Sequence, residues 1–120
     1  MANILMLDDE EDACRLVGRV LGGSGHDITA FTEVAETLEW LRSNSPDLAL
    51  LDFKLRDSDG LSVLQRIRLI RPAIKTILIT GKPSPEIEAR ALKMGIREYL
   101  VKPLEIRELE EHVNRVLGAA

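Results

Sequence analysis

The sequence predicts a doubly wound α/β domain, and three observations carry that expectation. Four short runs, ILML (4–7), LALL (48–51), TILI (76–79) and YLV (99–101), are almost wholly apolar and too short for helices. Between them lie stretches with helical hydrophobic spacing. Turn-formers punctuate the change from one pattern to the other. Strands that are apolar on both faces belong in a parallel sheet covered by helices on each side. Right-handed crossovers then give βα repeated five times.

The elements follow in order. ILML is the first strand, and Ala13, Leu16, Val17, Val20 and Leu21 form the core stripe of the first helix, which Gly22 and Gly23 follow. HDITAF (26–31) alternates apolar with polar residues and suits an edge strand. Val34, Leu38 and Leu41 mark the second helix, with Pro46 beyond it. LALL is the third strand, and Leu61, Leu64, Ile67 and Ile70 space the third helix. TILI precedes a fourth helix carrying Ile87, Ala91 and Met94, with Ser84 as N-cap, Pro85 at N1 and Gly95 after its end. YLV leads to the fifth helix, with Ile106, Leu109, Val113 and Val116 on one side.

Composition narrows the function classes. A chain of 120 residues that is 45% hydrophobic can bury a real core as one domain. Sixteen basic and twenty acidic residues give a net charge of −4, which counts against a free-standing nucleic-acid binder. Cys14 is the lone cysteine, so no internal disulfide forms, and a reducing, cytoplasmic setting is expected. Lying between the apolar residues Ala13 and Leu16, Cys14 reads as a small buried thiol. No apolar run is long enough to span a membrane.

In a doubly wound fold, ligands sit beyond the carboxyl ends of the strands. The first strand ends in Asp8 and Asp9, the third in Asp52, the fourth in Thr80, and the fifth in Lys102 followed by Pro103. Three carboxylates, a hydroxyl and an ammonium therefore meet on one edge of the sheet. Two like charges about 4 Å apart repel by roughly 4 kcal/mol at an effective dielectric of 20. A divalent cation among them removes that cost, and hard oxygen ligands suit Mg²⁺. With a cation and Lys102 present, a carboxylate becomes a nucleophile toward a phosphoryl group.

The motifs LDDE (7–10), LLDFKLRDSDG (50–60), ILITG (77–81) and YLVKP (99–103), in this order, resemble the response-regulator receiver domains of two-component signalling. The resemblance covers essentially the whole chain. It implies a flavodoxin-like fold of five parallel strands in the order 2-1-3-4-5 with five helices. Asp52 would be the phospho-acceptor, phosphorylated by the phosphohistidine of a histidine kinase or phosphotransfer protein. Asp8, Asp9, Asp52 and the backbone carbonyl of Lys54 would hold Mg²⁺. Thr80 and Lys102 would sense the phosphate, Tyr99 would be the aromatic switch, and the Lys102–Pro103 bond would be cis. The output surface would lie near the fourth and fifth helices, for an effector or partner of unknown identity. Residues 1–120 are expected to form a single receiver domain with no effector domain visible. Such a domain is a signalling module, not an enzyme in the usual sense, although it takes part in its own phosphorylation and dephosphorylation.

Several features read as local structure. Asp59 before Gly60 is helix-start chemistry, and Asp57 and Ser58 form a solvated loop. The DSDG piece fails as a calcium loop, because alignment on Gly60 puts Leu55 first and Arg66 twelfth. GGSG (22–25) and TGKPS (80–84) lack the rest of a phosphate loop. His26 and His112 read as surface residues, and Trp40 as partly buried packing.

Three departures from the family pattern stand out. Arg56 replaces the usual proline, Leu104 replaces a common aromatic, and Arg97 and Glu98 replace two acids before the switch tyrosine. The last counts against dimerisation in the manner of winged-helix regulators. A phosphorylation-dependent homodimer stays among the expected assemblies. Two competing readings are weaker. A haloacid-dehalogenase-like phosphatase needs a second aspartate two residues after the nucleophile, where this chain has Lys54. A pseudo-receiver that never takes phosphate would not need Asp8, Asp9, Asp52, Thr80 and Lys102 together.

Overall fold

The computed structural model describes residues 2–118. Its elements run β1 (Asn3–Leu7), α1 (Glu11–Gly23), β2 (Asp27–Phe31), α2 (Val34–Leu41), β3 (Leu48–Asp52), α3 (Gly60–Ile70), β4 (Lys75–Thr80), α4 (Pro85–Lys93), β5 (Glu98–Val101) and α5 (Ile106–Gly118). All four strand pairings are parallel, and the order is β2-β1-β3-β4-β5. The expected fold class and strand order are therefore observed, with β2 at an edge.

The apolar runs have a simple cause. Successive strand side chains point to opposite faces, and both faces are covered. Leu5, Leu7, Leu51 and Leu78 enter one core with residues of α2, α3 and α4. Ile4, Met6, Leu50, Ile77 and Ile79 enter a second core with α1 and α5. Every residue of β3, the central strand, is buried. That burial reaches Asp52 itself.

Helix ends follow the expected chemistry. Asp59 accepts a hydrogen bond from the Ser62 N–H (2.9 Å), and Ser84 accepts one from Ile87 (3.1 Å). Caps of this kind contribute about 1 kcal/mol each. The Lys102–Pro103 peptide is cis. Trp40 packs its ring against Phe31 at a centroid distance of 5.7 Å.

Four details differ from the sequence reading. α1 runs through Gly22 and Gly23 instead of stopping before them, and the left-handed residue that ends the turn is Gly25 (φ 91°). Leu16 and Ile106, assigned to core stripes, are 49% and 50% exposed. They border an apolar groove of about 470 Å³ between α1 and the start of α5. The two histidines are half-buried and engaged: His26 Nδ1 accepts from the Ala2 N–H (3.2 Å), and His112 Nδ1 lies 3.4 Å from Glu98.

Candidate phosphoryl-acceptor site

Because the strands are parallel, their last residues share one edge. Asp52 and Thr80 end β3 and β4. Asp8 and Lys102 directly follow β1 and β5 and extend the ladder: the Asp8 N–H donates to Phe31 O (3.1 Å), and the Lys102 N–H to Thr80 O (2.8 Å). Backbone pairing thus positions four functional side chains on rigid strand ends.

At the centre, the Lys102 ammonium donates to Asp8 Oδ2 (3.3 Å) and Asp52 Oδ2 (3.2 Å). Asp8 and Asp52 are 2% and 6% exposed, so one cation serves two buried carboxylates. Burial, then the neighbouring Asp8 charge, pushes the Asp52 pKa up to about 6, with Lys102 opposing. Burial acts to lower the Lys102 pKa, but the Asp8 and Asp52 charges outweigh it and hold the ammonium above its usual value. Asp8 Oδ1 also accepts from the Glu10 N–H (3.0 Å).

The loop after β3 is tied down tightly. The Phe53 N–H donates to Ile79 O and the Gly60 N–H to Phe53 O, both at 2.7 Å. Lys54 and Asp59 form an antiparallel bridge, and the Leu55 N–H donates to Ser58 O. Leu55 is buried and anchors the hairpin, while Lys54, Arg56, Asp57 and Ser58 are exposed. Only glycine fits at position 60, since a Cβ there would lie 2.5 Å from Asp52 O.

An open cleft of about 700 Å³ lies over this edge, lined among others by Asp9, Asp52, Lys54, Thr80, Lys82 and Lys102. Thr80 is 1% exposed, and its hydroxyl oxygen accepts from the Lys82 N–H (3.1 Å). In register, Tyr99 pairs with Leu78 and Val101 with Thr80, so Tyr99 and Thr80 face the same side of the sheet. Tyr99 packs against the core there, and its buried hydroxyl has no hydrogen-bond partner among the described residues.

The carboxylate donors for a metal divide in two. Asp8, Asp9 and Glu10 bring ligand oxygens within 4.8 Å of one another. Asp52 stands outside that group and is joined to Asp8 through Lys102. A set of hard carboxylate oxygens fits Mg²⁺. The sequence reading gave Glu10 no role of its own. Nor did it expect Lys102 to bridge Asp8 and Asp52.

Comparison with known proteins gives this edge its context. The profile of the family described as "Response regulator receiver domain" matches residues 4–114. The chain belongs to that family. This receiver is 31% identical over 116 residues to the transcriptional regulatory protein ZraR of Escherichia coli (strain K12), covering 97% of the chain and 26% of that protein. It is 32% identical over 115 residues to the DNA-binding transcriptional regulator NtrC of the same organism, covering 96% of the chain and 24% of that protein. The receiver thus spans about a quarter of the length of these curated relatives. A CheY-like receiver domain protein from Methanospirillum hungatei JF-1 superimposes with a TM-score of 0.92 at 29% identity, covering 98% of this chain and 94% of that one. Receiver domains of two-component response regulators accept phosphoryl groups on aspartate, and that is this domain's function. No helix among the described residues is long and apolar enough to cross a membrane.

Proposed function

We propose that Asp52 is the phospho-acceptor and takes its phosphoryl group from the phosphohistidine of a histidine kinase or phosphotransfer protein. The observation that supports this most is the Asp8–Lys102–Asp52 bridge at the strand ends of a receiver-family chain. An Asp52 oxygen attacks phosphorus in line with the P–N bond. That bond breaks, the imidazole leaves and is protonated, and Asp52 carries the acyl phosphate. Above about pH 6 the Asp52 carboxylate is ionised and able to attack. Lys102, whose ammonium lies 3.2 Å from the Asp52 carboxylate, neutralises charge on the transferring group. Asp8, Asp9, Asp52 and the Lys54 backbone carbonyl would hold Mg²⁺, which when bound neutralises and orients the phosphoryl oxygens.

The Thr80 hydroxyl, already accepting from Lys82, retains its proton for a phosphoryl oxygen. Drawing Thr80 inward changes the space on the face it shares with Tyr99. Tyr99, with its unpartnered hydroxyl, is then the group released to move. α4 buries only Ala91, so it is the helix most free to follow. Phosphorylation on this reading biases an existing equilibrium of the surface formed by α4, β5 and α5. We read residues 1–120 as one cytoplasmic receiver acting on a protein partner or effector, without direct nucleic-acid contact. A phosphorylation-dependent homodimer is one form its output can take. The domain also takes part in its own phosphorylation and dephosphorylation.

Incubation with acetyl phosphate and Mg²⁺ should add one phosphoryl group by intact mass, and Asp52→Ala should show none. Absence of the adduct in wild type would move the reading to a receiver that never takes phosphate. The lifetime of the adduct should depend on Lys54 and Lys82, two basic residues that line the cleft. They hold the phosphoryl oxygens and hinder in-line water, giving a long-lived phospho-form. Lys54→Asn and Lys82→Ala should each speed dephosphorylation about threefold, roughly the worth of an exposed charge contact. Unchanged lifetimes in both variants would refute that role.

A further inference from the structure

The carboxyl end of α4 is closed partly by its own backbone. The Gly95 N–H donates to Leu92 O (3.0 Å) and the Ile96 N–H to Ala91 O (3.2 Å), with Gly95 in the left-handed region (φ 74°). That pairing leaves out the carbonyl of Met94, the C-cap residue. Arg68, half-buried on α3, supplies the missing donor: its guanidinium Nη1 donates to Met94 O across 26 residues of sequence. A cation placed there also meets the negative pole of the helix dipole. Ala91 and Ile96, on either side of the cap, are buried.

The amino end is built differently. From Gly81 to Arg90 no residue is buried, and only Ser84 and Ile87 are half-buried. Its link to the site is the Lys82 N–H, which donates to the Thr80 hydroxyl oxygen (3.1 Å) two residues before the Ser84 cap. A shift of Thr80 therefore reaches α4 at its loosely packed end. We propose that Arg68 pins the carboxyl end of α4, making that end the pivot about which the amino end moves when Asp52 is phosphorylated. The pivot rests on the phospho-acceptor reading above and adds a residue, remote from the site, that confines where the response appears.

Amide hydrogen exchange followed by NMR, in the unphosphorylated protein and in excess acetyl phosphate with Mg²⁺, reads both ends of the helix. Arg68→Met keeps aliphatic bulk and removes the donor. Without phosphate it should speed exchange of the Gly95 and Ile96 amides about tenfold, the scale of losing one hydrogen bond from a charged group. Arg71→Met is the control, since Arg71 Nε donates to Asn44 O (3.1 Å) beyond α2, and it should leave those two amides near wild type. In wild type, phosphorylation should change exchange at Ile87 and Glu88, whose N–H groups are both bonded to Ser84, and leave Gly95 and Ile96 unmoved. In Arg68→Met the change should reach both ends. Unaltered Gly95 and Ile96 exchange in Arg68→Met, or the same acceleration in Arg71→Met, would overturn the pin. A response in phosphorylated wild type as large at Ile96 as at Ile87 would overturn the pivot. Wild type that gains no phosphoryl mass would instead overturn the reading beneath it, while exchange in the unphosphorylated variants still decides the pin.

Discussion

Gly60→Ala is expected to lower the melting temperature by roughly 10 °C, from about 3 kcal/mol of overpacking in a domain of this size. The methyl group would lie 2.5 Å from Asp52 O, 3.2 Å from Asp52 C and 3.0 Å from Leu78 Cδ1. Leu78 can shift at little cost, but the backbone of a central strand moves only by straining its ladder hydrogen bonds. Nor can Gly60 retreat freely, since its N–H is bonded to Phe53 O at 2.7 Å. Relief must come from moving the end of β3, and that moves the Asp52 carboxylate away from Lys102. Slower phosphoryl acceptance should therefore accompany the loss of stability. Gly18→Ala is the internal comparison: it lies within α1 with nothing inside 4 Å of its added Cβ. That change should raise stability by about 0.5–1 kcal/mol, the usual gain of alanine over glycine in a helix. A Gly60→Ala protein as stable as wild type would contradict the close approach.

Lys102→Met should reduce the rate of phosphoryl acceptance on the order of a hundredfold, the usual cost of losing one preorganised donor to developing charge. The methionine keeps the volume of the aliphatic stem and removes only the cation. Asp8 and Asp52 would then face each other buried and unbridged. The pKa of Asp52, already about 6 through burial and the Asp8 charge, should climb further. A carboxyl whose folded pKa exceeds its unfolded value binds more protons when folded. Stability therefore rises as pH falls from the folded pKa toward about 4, where the unfolded group titrates. The variant should thus be less stable than wild type at pH 8, with the gap narrowing on acidification through pH 6. A gap that widened on acidification would show that Lys102 does not oppose the Asp52 charge.

Much of this was legible in the sequence. A five-stranded parallel sheet follows from ILML, LALL and TILI because residues apolar on both faces have few other places to go. Asp52 was legible for a related reason. A carboxylate closing a buried strand is out of place unless another group answers it, and Asp8, Asp9, Thr80 and Lys102 stand at the matching strand ends. Leu16 and Ile106 were not, because helical periodicity separates apolar from polar faces but cannot tell a filled core from an open groove. Asp59 was read correctly as a cap because its hydrogen bond is local, three residues ahead. The bridge from Lys102 spans 94 residues to Asp8 and 50 to Asp52, and side-chain reach over such separations is set only by the assembled sheet.

The most direct measurement of the central claim is the location of the phosphoryl group. Protein treated with acetyl phosphate and Mg²⁺ is reduced with borohydride, which converts an aspartyl phosphate to homoserine, and the site is mapped by peptide mass spectrometry. The account predicts homoserine at position 52 alone. Homoserine at Asp8, Asp9, Asp57 or Asp59, or conversion at position 52 that persists in Lys102→Met at the wild-type rate, would contradict it.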